Sequence, residues 1–439
     1  MLRSVFFNKY TSVFVTNLGI LGISMVTSIL LARYLGPTGR GEIAATILWS
    51  ALLIALGSLG MIESALYFVA LPDVESRHVF ANTFGMVLIQ SAILVPLGYL
   101  AMPWLLASQR PEVIEASRAY LIIVPISLFT QYNRSILQGR MKIAAYNLIQ
   151  VAIPIGSLIG TLALYRLNNL SVQSVVFLLI VLNIVIMLMS LALLLLHKIP
   201  IGLEPNLPLA RSMLSYGFQV QVGTVFSNAN LRLDQVLMAA WVSPEQLGLY
   251  VVAVSASSTS GVLSRAVSIV ATPAIAKQTD PWQRIEQLQT IFRYYWLSGI
   301  VLKVVIALVL PWGIPWIYGK EFSGAIVVAE VLLLASLFLD ASYVLMAEVR
   351  GLGAPWLASR AEIVACGVTV IFLLILLPSL GILGAAVTSL LAYATVLGAL
   401  VAGMQRCYAI SLKELFRTDK TIQMVRGHAS RLLAQNFKE

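Results

Sequence analysis

Apolar positions in this chain gather into long blocks separated by short polar turns, and few of them alternate with polar ones. About 20 mostly apolar residues carry an α-helix across ~30 Å of hydrocarbon at 1.5 Å per residue. Twelve stretches meet that requirement, near 10–34, 42–70, 79–106, 113–137, 141–165, 170–196, 211–242, 245–275, 288–318, 322–349, 355–377 and 380–408. No lengthy run has a period of two, which excludes an outer-membrane barrel. The first block is too long for a signal-peptide core and has no small-x-small site behind it, so it is expected to be retained. The pattern predicts an all-α integral membrane protein with twelve transmembrane helices.

Composition sharpens the class. Apolar residues make up 59% of the 439 and charged residues 11%, against about 45–50% and about 25% in soluble domains. A soluble fold so poor in charge would expose a large apolar surface to water. Twenty Lys and Arg fall in the N-terminus, the loops after even-numbered spans and the tail, and only six in the alternate loops. The positive-inside rule therefore sets both termini in the cytoplasm. It also accounts for the net charge of +10 without nucleic-acid binding. Cys366 and Cys407 lie in apolar surroundings and frame no disulfide network, and three scattered histidines (His78, His197 and His428) make no metal cluster.

The chain is internally duplicated. LARYLGPTGRGEIAA at Leu31–Ala45 reads against MAAWVSPEQLGLYVVA at Met238–Ala253, with Pro37 over Pro244 and Gly41 over Gly248. Gly139 and Gly351 align in the same way further on. Six helices per repeat is an even number, so both repeats enter the membrane in one direction. They are then related by a pseudo-two-fold along the membrane normal, with a binding site expected between them. The expected organisation is an N-lobe over 1–198, a linker over 199–209 rich in proline, a C-lobe over 210–408 and a basic cytoplasmic tail over 409–439. In the tail Leu412, Leu415, Phe416 and Ile422 fall near helical spacing beside Arg417, Lys420 and Arg426. An interfacial helix and a solvated tail are both open there.

The turn Leu31-Ala32-Arg33-Tyr34-Leu35-Gly36-Pro37-Thr38-Gly39-Arg40-Gly41-Glu42, with Asp234 and Gly248-Leu249-Tyr250 in the second repeat, resembles the polysaccharide-biosynthesis (Wzx-type) oligosaccharide flippases. These belong to the superfamily that also holds lipid II flippases and multidrug and toxin extruders. Lipid II flippases usually carry two further helices after the twelfth, and this chain has only the tail. The resemblance implies outward translocation of an undecaprenyl-diphosphate-linked oligosaccharide across the bacterial plasma membrane for surface-polysaccharide export, by alternating access and without a cofactor. A monomer is implied, with transient contacts to polysaccharide polymerase and glycosyltransferases.

Seven ionisable residues lie deep in the predicted spans: Glu63, Arg232, Asp234, Arg265, Lys303, Glu330 and Asp340. Facing lipid, each would cost about 2.5–3.5 kcal/mol, so most must face the bundle interior or a watery cavity. Arg232 and Asp234, spaced i,i+2, point to opposite sides of their helix and do not pair with each other. Counted from the turns at Gly248 and Gly41, Arg265 lies about 25 Å and Glu63 about 33 Å down equivalent helices. The two can form an inner gate, or Arg265 can bind a diphosphate through two parallel hydrogen bonds. In the related lipid II flippases an arginine of helix eight serves the head group, and Arg265 is in the corresponding helix. Those proteins also carry arginines in their first two helices, which this chain lacks at depth. Arg265, Arg232 and Lys303 are thus candidate substrate contacts, and Glu63, Asp234 and Asp340 candidates for gating or coupling.

No nucleotide-binding, hydrolase or zinc motif is present, so the reading is of a transporter and not an enzyme. The alternative is a cation-coupled small-molecule exporter of the multidrug and toxin extrusion branch. That branch usually places an acid in helix one, and Tyr10–Leu31 contains none. A major-facilitator transporter fits the 71–77 loop poorly, and a polymerase or glycosyltransferase would need a larger outer loop than Ser108–Glu115.

Overall fold

The computed structural model describes residues 2–261, 264, 267, 268, 275, 280–352 and 354–408; for 2–15, 18, 222–232, 281, 284, 350, 351 and 355 it describes the backbone only. Among these residues every element is helical. In chain order they are α1 (Leu2–Gly57), α2 (Met61–Ala70), α3 (Ser76–Leu105), α4 (Pro111–Tyr120), α5 (Ile123–Gly139) and α6 (Ile143–Arg166). They continue with α7 (Val172–Leu196), α8 (Leu207–Trp241), α9 (Pro244–Ser258) and α10 (Pro281–Tyr318). A 3₁₀ turn (Lys320–Phe322), α11 (Ala325–Gly351) and α12 (Pro355–Tyr408) complete the order. The tail from 409, where an interfacial helix was one of two expectations, lies outside the described residues.

Glycine sets the breaks. Gly36 has φ 67° inside α1 and Gly381 has φ 56° inside α12, conformations that a Cβ disfavours, so each long helix is two helices joined at a kink. The stretch expected to run from 42 to 70 is likewise interrupted. Gly60, at φ 68°, precedes α2, and the run Gly57-Ser58-Leu59-Gly60 cannot sustain helix across it. Between α4 and α5, Leu121 and Ile122 keep right-handed helical angles, so the stretch expected over 113–137 lies within one span, Pro111–Gly139.

Eight helices among the described residues are long and apolar enough to cross a membrane. Most bury only 11–22% of their apolar windows, whereas Pro111–Gly139 and Ala325–Val349 bury 50% and 56%, so those two are the most enclosed. The rest present apolar side chains outward: Ile89, Ile93, Leu97, Leu100 and Trp104 form an exposed stripe at helical spacing along α3. Leaving such side chains in water forfeits about 1.5–3 kcal/mol each, and hydrocarbon removes that penalty. Trp282 and Trp312, both largely exposed on α10, are about 45 Å apart along the helix at 1.5 Å per residue. That matches the full bilayer with its headgroup layers, the level at which tryptophan collects. The chain is a multi-pass membrane protein.

The helices group into two compact units, described separately. One holds Met1–Val225, Gln235–Val251 and Ile317–Phe322; the other holds Phe226–Asp234, Val252–Trp316 and Ser323–Glu439. In the second unit α11 packs extensively along α12. Small residues (Ala341, Ala358, Ala361 and Ala365) are buried there beside Leu345, Val349, Leu397 and Leu400. Side chains of that size let helix backbones approach closely where lipid supplies no hydrophobic drive.

Candidate functional site

The duplicated turn motifs meet in the first unit. A Cβ on Gly41 would sit 1.7 Å from the Pro244 carbonyl oxygen, and one on Gly248 would sit 1.9 Å from the Pro37 carbonyl oxygen. Position 41 therefore meets 244 while 248 meets 37, the reciprocal pattern that a two-fold relation produces. Neighbouring polar contacts fasten the crossing. Gln109 Nε2 donates to the carbonyls of Ala239 (3.0 Å) and Val242 (3.2 Å), Ser108 Oγ donates to Ala240 O at 2.6 Å, and Arg33 Nε donates to Ile317 O at 2.6 Å.

A charged cluster is buried in the second unit. Lys303 Nζ on α10 reaches Asp340 Oδ2 on α11 at 2.8 Å, Ser260 Oγ at 2.6 Å and Ser336 Oγ at 2.8 Å. An ammonium has three N–H donors, and these three acceptors take all of them. Ser264 Oγ donates to the other carboxylate oxygen, Asp340 Oδ1, at 3.1 Å. Gly261 makes room for it, since a Cβ there would stand 3.2 Å from that oxygen. Both charged side chains are nearly buried (7% and 6% exposed). Such an arrangement stands only because every polar atom is matched; removing one partner of a buried pair costs about 3–5 kcal/mol.

A second polar group in the same unit centres on Tyr393 of α12. Asp234, Tyr343 and Glu362 lie within electrostatic reach of its hydroxyl, and Ser389 hydrogen-bonds it. Asp234 (5% exposed) and Glu362 (7%) are both buried and engaged in polar interactions.

The other predicted site residues are placed as follows. Lys303 and Asp340 are brought together, and Asp234 joins the Tyr393 group. Glu63 lies exposed on α2 and Glu330 exposed on α11. The side chain of Arg232 and the whole of Arg265 lie outside the described residues, so the expected Glu63–Arg265 pair does too. Sequence reasoning passed over two buried acids. Glu362 stands seven residues into α12, a depth that would have flagged it. Glu348 is fully buried near the end of α11, and among the described residues neither of its carboxylate oxygens has a hydrogen-bond partner. Among the described residues no group of His, Cys, Asp and Glu could hold a metal ion.

The bundle of apolar helices thus keeps the Lys303–Asp340 pair buried away from lipid, the placement expected of ionisable groups within a membrane. The polysaccharide biosynthesis protein family matches residues 7–279, and the chain belongs to that family. Its fold is similar to that of the lipid II flippase MurJ in an inward closed conformation, with a TM-score of 0.71 at 15% identity over 92% of this chain and 89% of that one. It is also similar to an inward-facing multidrug resistance MATE family transporter of the MOP superfamily, at 0.70 and 13% identity over 92% and 99%. The eukaryotic MATE transporter AtDTX14 gives 0.61 at 14% identity over 94% and 98%. Comparison with curated proteins gives no significant match.

Proposed function

We propose that this protein moves an undecaprenyl-diphosphate-linked oligosaccharide from the cytoplasmic to the outer leaflet of the bacterial plasma membrane, for export of a surface polysaccharide. The observation that carries the reading is the match to polysaccharide biosynthesis proteins over 7–279 on a fold shared with a lipid II flippase. Two six-helix lobes, 1–198 and 210–408, alternate access around a central site, and both termini are cytoplasmic. The reciprocal Pro37/Gly41 and Pro244/Gly248 crossing supports the pseudo-two-fold between them. The exporter alternative has less support, because the family match is to the polysaccharide branch and helix one carries no acid.

In this reading Arg265 contacts the diphosphate through its planar guanidinium, with Arg232 as a second contact. Lys303 reaches substrate only when Asp340 releases it, since its donors are otherwise taken. Asp340, Asp234 and Glu63 serve gating or coupling. A diphosphate carries about two negative charges, and moving each outward against an inside-negative potential is downhill by ~2.3 kcal/mol per 100 mV. If that charge moves with the substrate, the potential alone can drive flipping without ATP.

The test is leaflet-resolved detection of the glycan in cells depleted of this protein. Accumulation on the cytoplasmic leaflet is expected, restored to the outer leaflet by wild type and, in part, by Arg265→Lys, but not by Arg265→Ala expressed at equal level. Accumulation of unpolymerised glycan on the outer leaflet contradicts the reading and points to a polymerase.

A further inference from the structure

Where α2 meets α8, one side is packed backbone to backbone and the next is left open. A Cβ on Gly60 would lie 2.0 Å from the Gly217 carbonyl oxygen, and Ser64 Oγ donates to Met213 O at 2.8 Å. Around α8 from Met213 and Gly217, the side chains of Arg211, Ser212, Ser215, Tyr216 and Gln219 line an open pocket of about 450 Å³, within the range of small-ligand sites. Tyr67 of α2 stacks on Tyr216, with centroids 4.6 Å apart and planes 12° from parallel. Phe68 meets Tyr216 nearly edge-on at 6.0 Å. Despite the stack, Tyr67 remains 45% exposed, and Glu63, one turn earlier on the same face of α2, is exposed as well.

The hydrogen-bonding capacity here is largely unused. Among the described residues neither Arg211 nor Glu63 has an ion-pair partner. Gln219 makes only a long 3.5 Å contact to Ser215 Oγ. We propose that this pocket is a saccharide subsite, in which a sugar ring of the lipid-linked glycan rests against the Tyr67–Tyr216 pair and is held by Arg211 and Gln219. The inference rests on the flippase reading and adds to it the part of the substrate that the groove grips.

Three features select this ligand. A sugar ring has an apolar C–H face suited to an aromatic surface, and a rim of hydroxyls that need both donors and acceptors. Arg211 and Gln219 donate, the Gln219 carbonyl accepts, and the serines do both. A diphosphate would select clustered cations, and the pocket offers a single arginine. A polyprenyl tail gains nothing from such polar walls. The groove also lies at the start of α8, directly after the 199–209 linker, which the charge distribution assigns to the cytoplasm, where the glycan is built.

The full-length protein in nanodiscs would be tested by saturation-transfer NMR against free glucose, galactose, rhamnose and N-acetylglucosamine, with inorganic pyrophosphate as the anion probe. At least one sugar is expected to bind in the millimolar range. Tyr67→Ala and Gln219→Ala should each weaken it about tenfold or more, and Tyr67→Phe should retain it. Gln219 is exposed, so its variant decides the matter even if Tyr67→Ala melts early. Absence of binding by all four sugars, or binding indifferent to both Tyr67→Ala and Gln219→Ala, overturns the inference. So does pyrophosphate binding that Arg211→Ala abolishes while sugars are unaffected. Wild-type flipping of a glycan-bearing lipid, measured in parallel, separates the two ideas: flipping without sugar binding sinks only the subsite, and sugar binding without flipping sinks only the function.

Discussion

Gly41→Ala is the sharpest perturbation available at the crossing of the two repeats. The added methyl would stand 1.7 Å from the Pro244 carbonyl oxygen and within 2.9 Å of Gly248 N. Both neighbours are backbone, so no rotamer change relieves the overlap and the start of α9 must move away. Overpacking of this kind costs about 1–3 kcal/mol. If the crossing exists in closed and open states, that energy multiplies the open population by about 5–150-fold. The reporter is Val242→Cys, a position buried beside the crossing, in a background carrying Cys366→Ser and Cys407→Ser. Labelling of its thiol by a membrane-impermeant maleimide should quicken at least about fivefold with Gly41→Ala. Gly248→Ala should do the same, and the double variant should add little, because both changes break one contact. Gly22→Ala, with open space around its Cβ, is the control and should change nothing. Equal labelling rates in all variants, with unchanged melting, would refute the crossing as a closure.

Other expectations follow from the buried charges and the drive. Lys303→Met leaves the Asp340 carboxylate buried without its cation and should cost about 3–5 kcal/mol in detergent melting; Lys303→Met with Asp340→Leu should recover most of it. Glu348→Leu should hold or raise the melting temperature, because an unpartnered buried polar group is replaced by an apolar one; a large drop would mean that the carboxyl is bonded. Flipping in proteoliposomes should accelerate with an inside-negative potential, whereas rates that follow only a proton or sodium gradient would hand coupling to Asp234 and Asp340.

The all-helical, multi-pass character was legible because a bilayer imposes a length on every apolar block. The breaks were less so. Gly60 stops a helix that the apolar pattern carries from 42 to 70, and Glu63 beyond it is exposed, which counting along one straight helix could not show. Lys303 and Asp340 could each be flagged as buried charges, but they lie on different helices and no spacing along the chain predicts their meeting. The serines that complete their cluster carry no sequence signal, since Ser260, Ser264 and Ser336 look like any small residues at a helix interface. The duplication was visible as aligned Pro and Gly positions; that those positions touch reciprocally emerged only from the packing. The saccharide groove was invisible because its platform joins Tyr67 to Tyr216, residues far apart in the chain.

The central claim is tested most directly by reconstituting the purified protein alone into liposomes with a lipid-linked oligosaccharide on one leaflet and no nucleotide present. With an imposed potential, negative on the loaded side, the glycan should reach the opposite leaflet and become accessible to an impermeant glycosidase or lectin there. Protein-free liposomes should retain it. Glycan that stays on the loaded leaflet, with the protein folded and correctly inserted, would contradict the account.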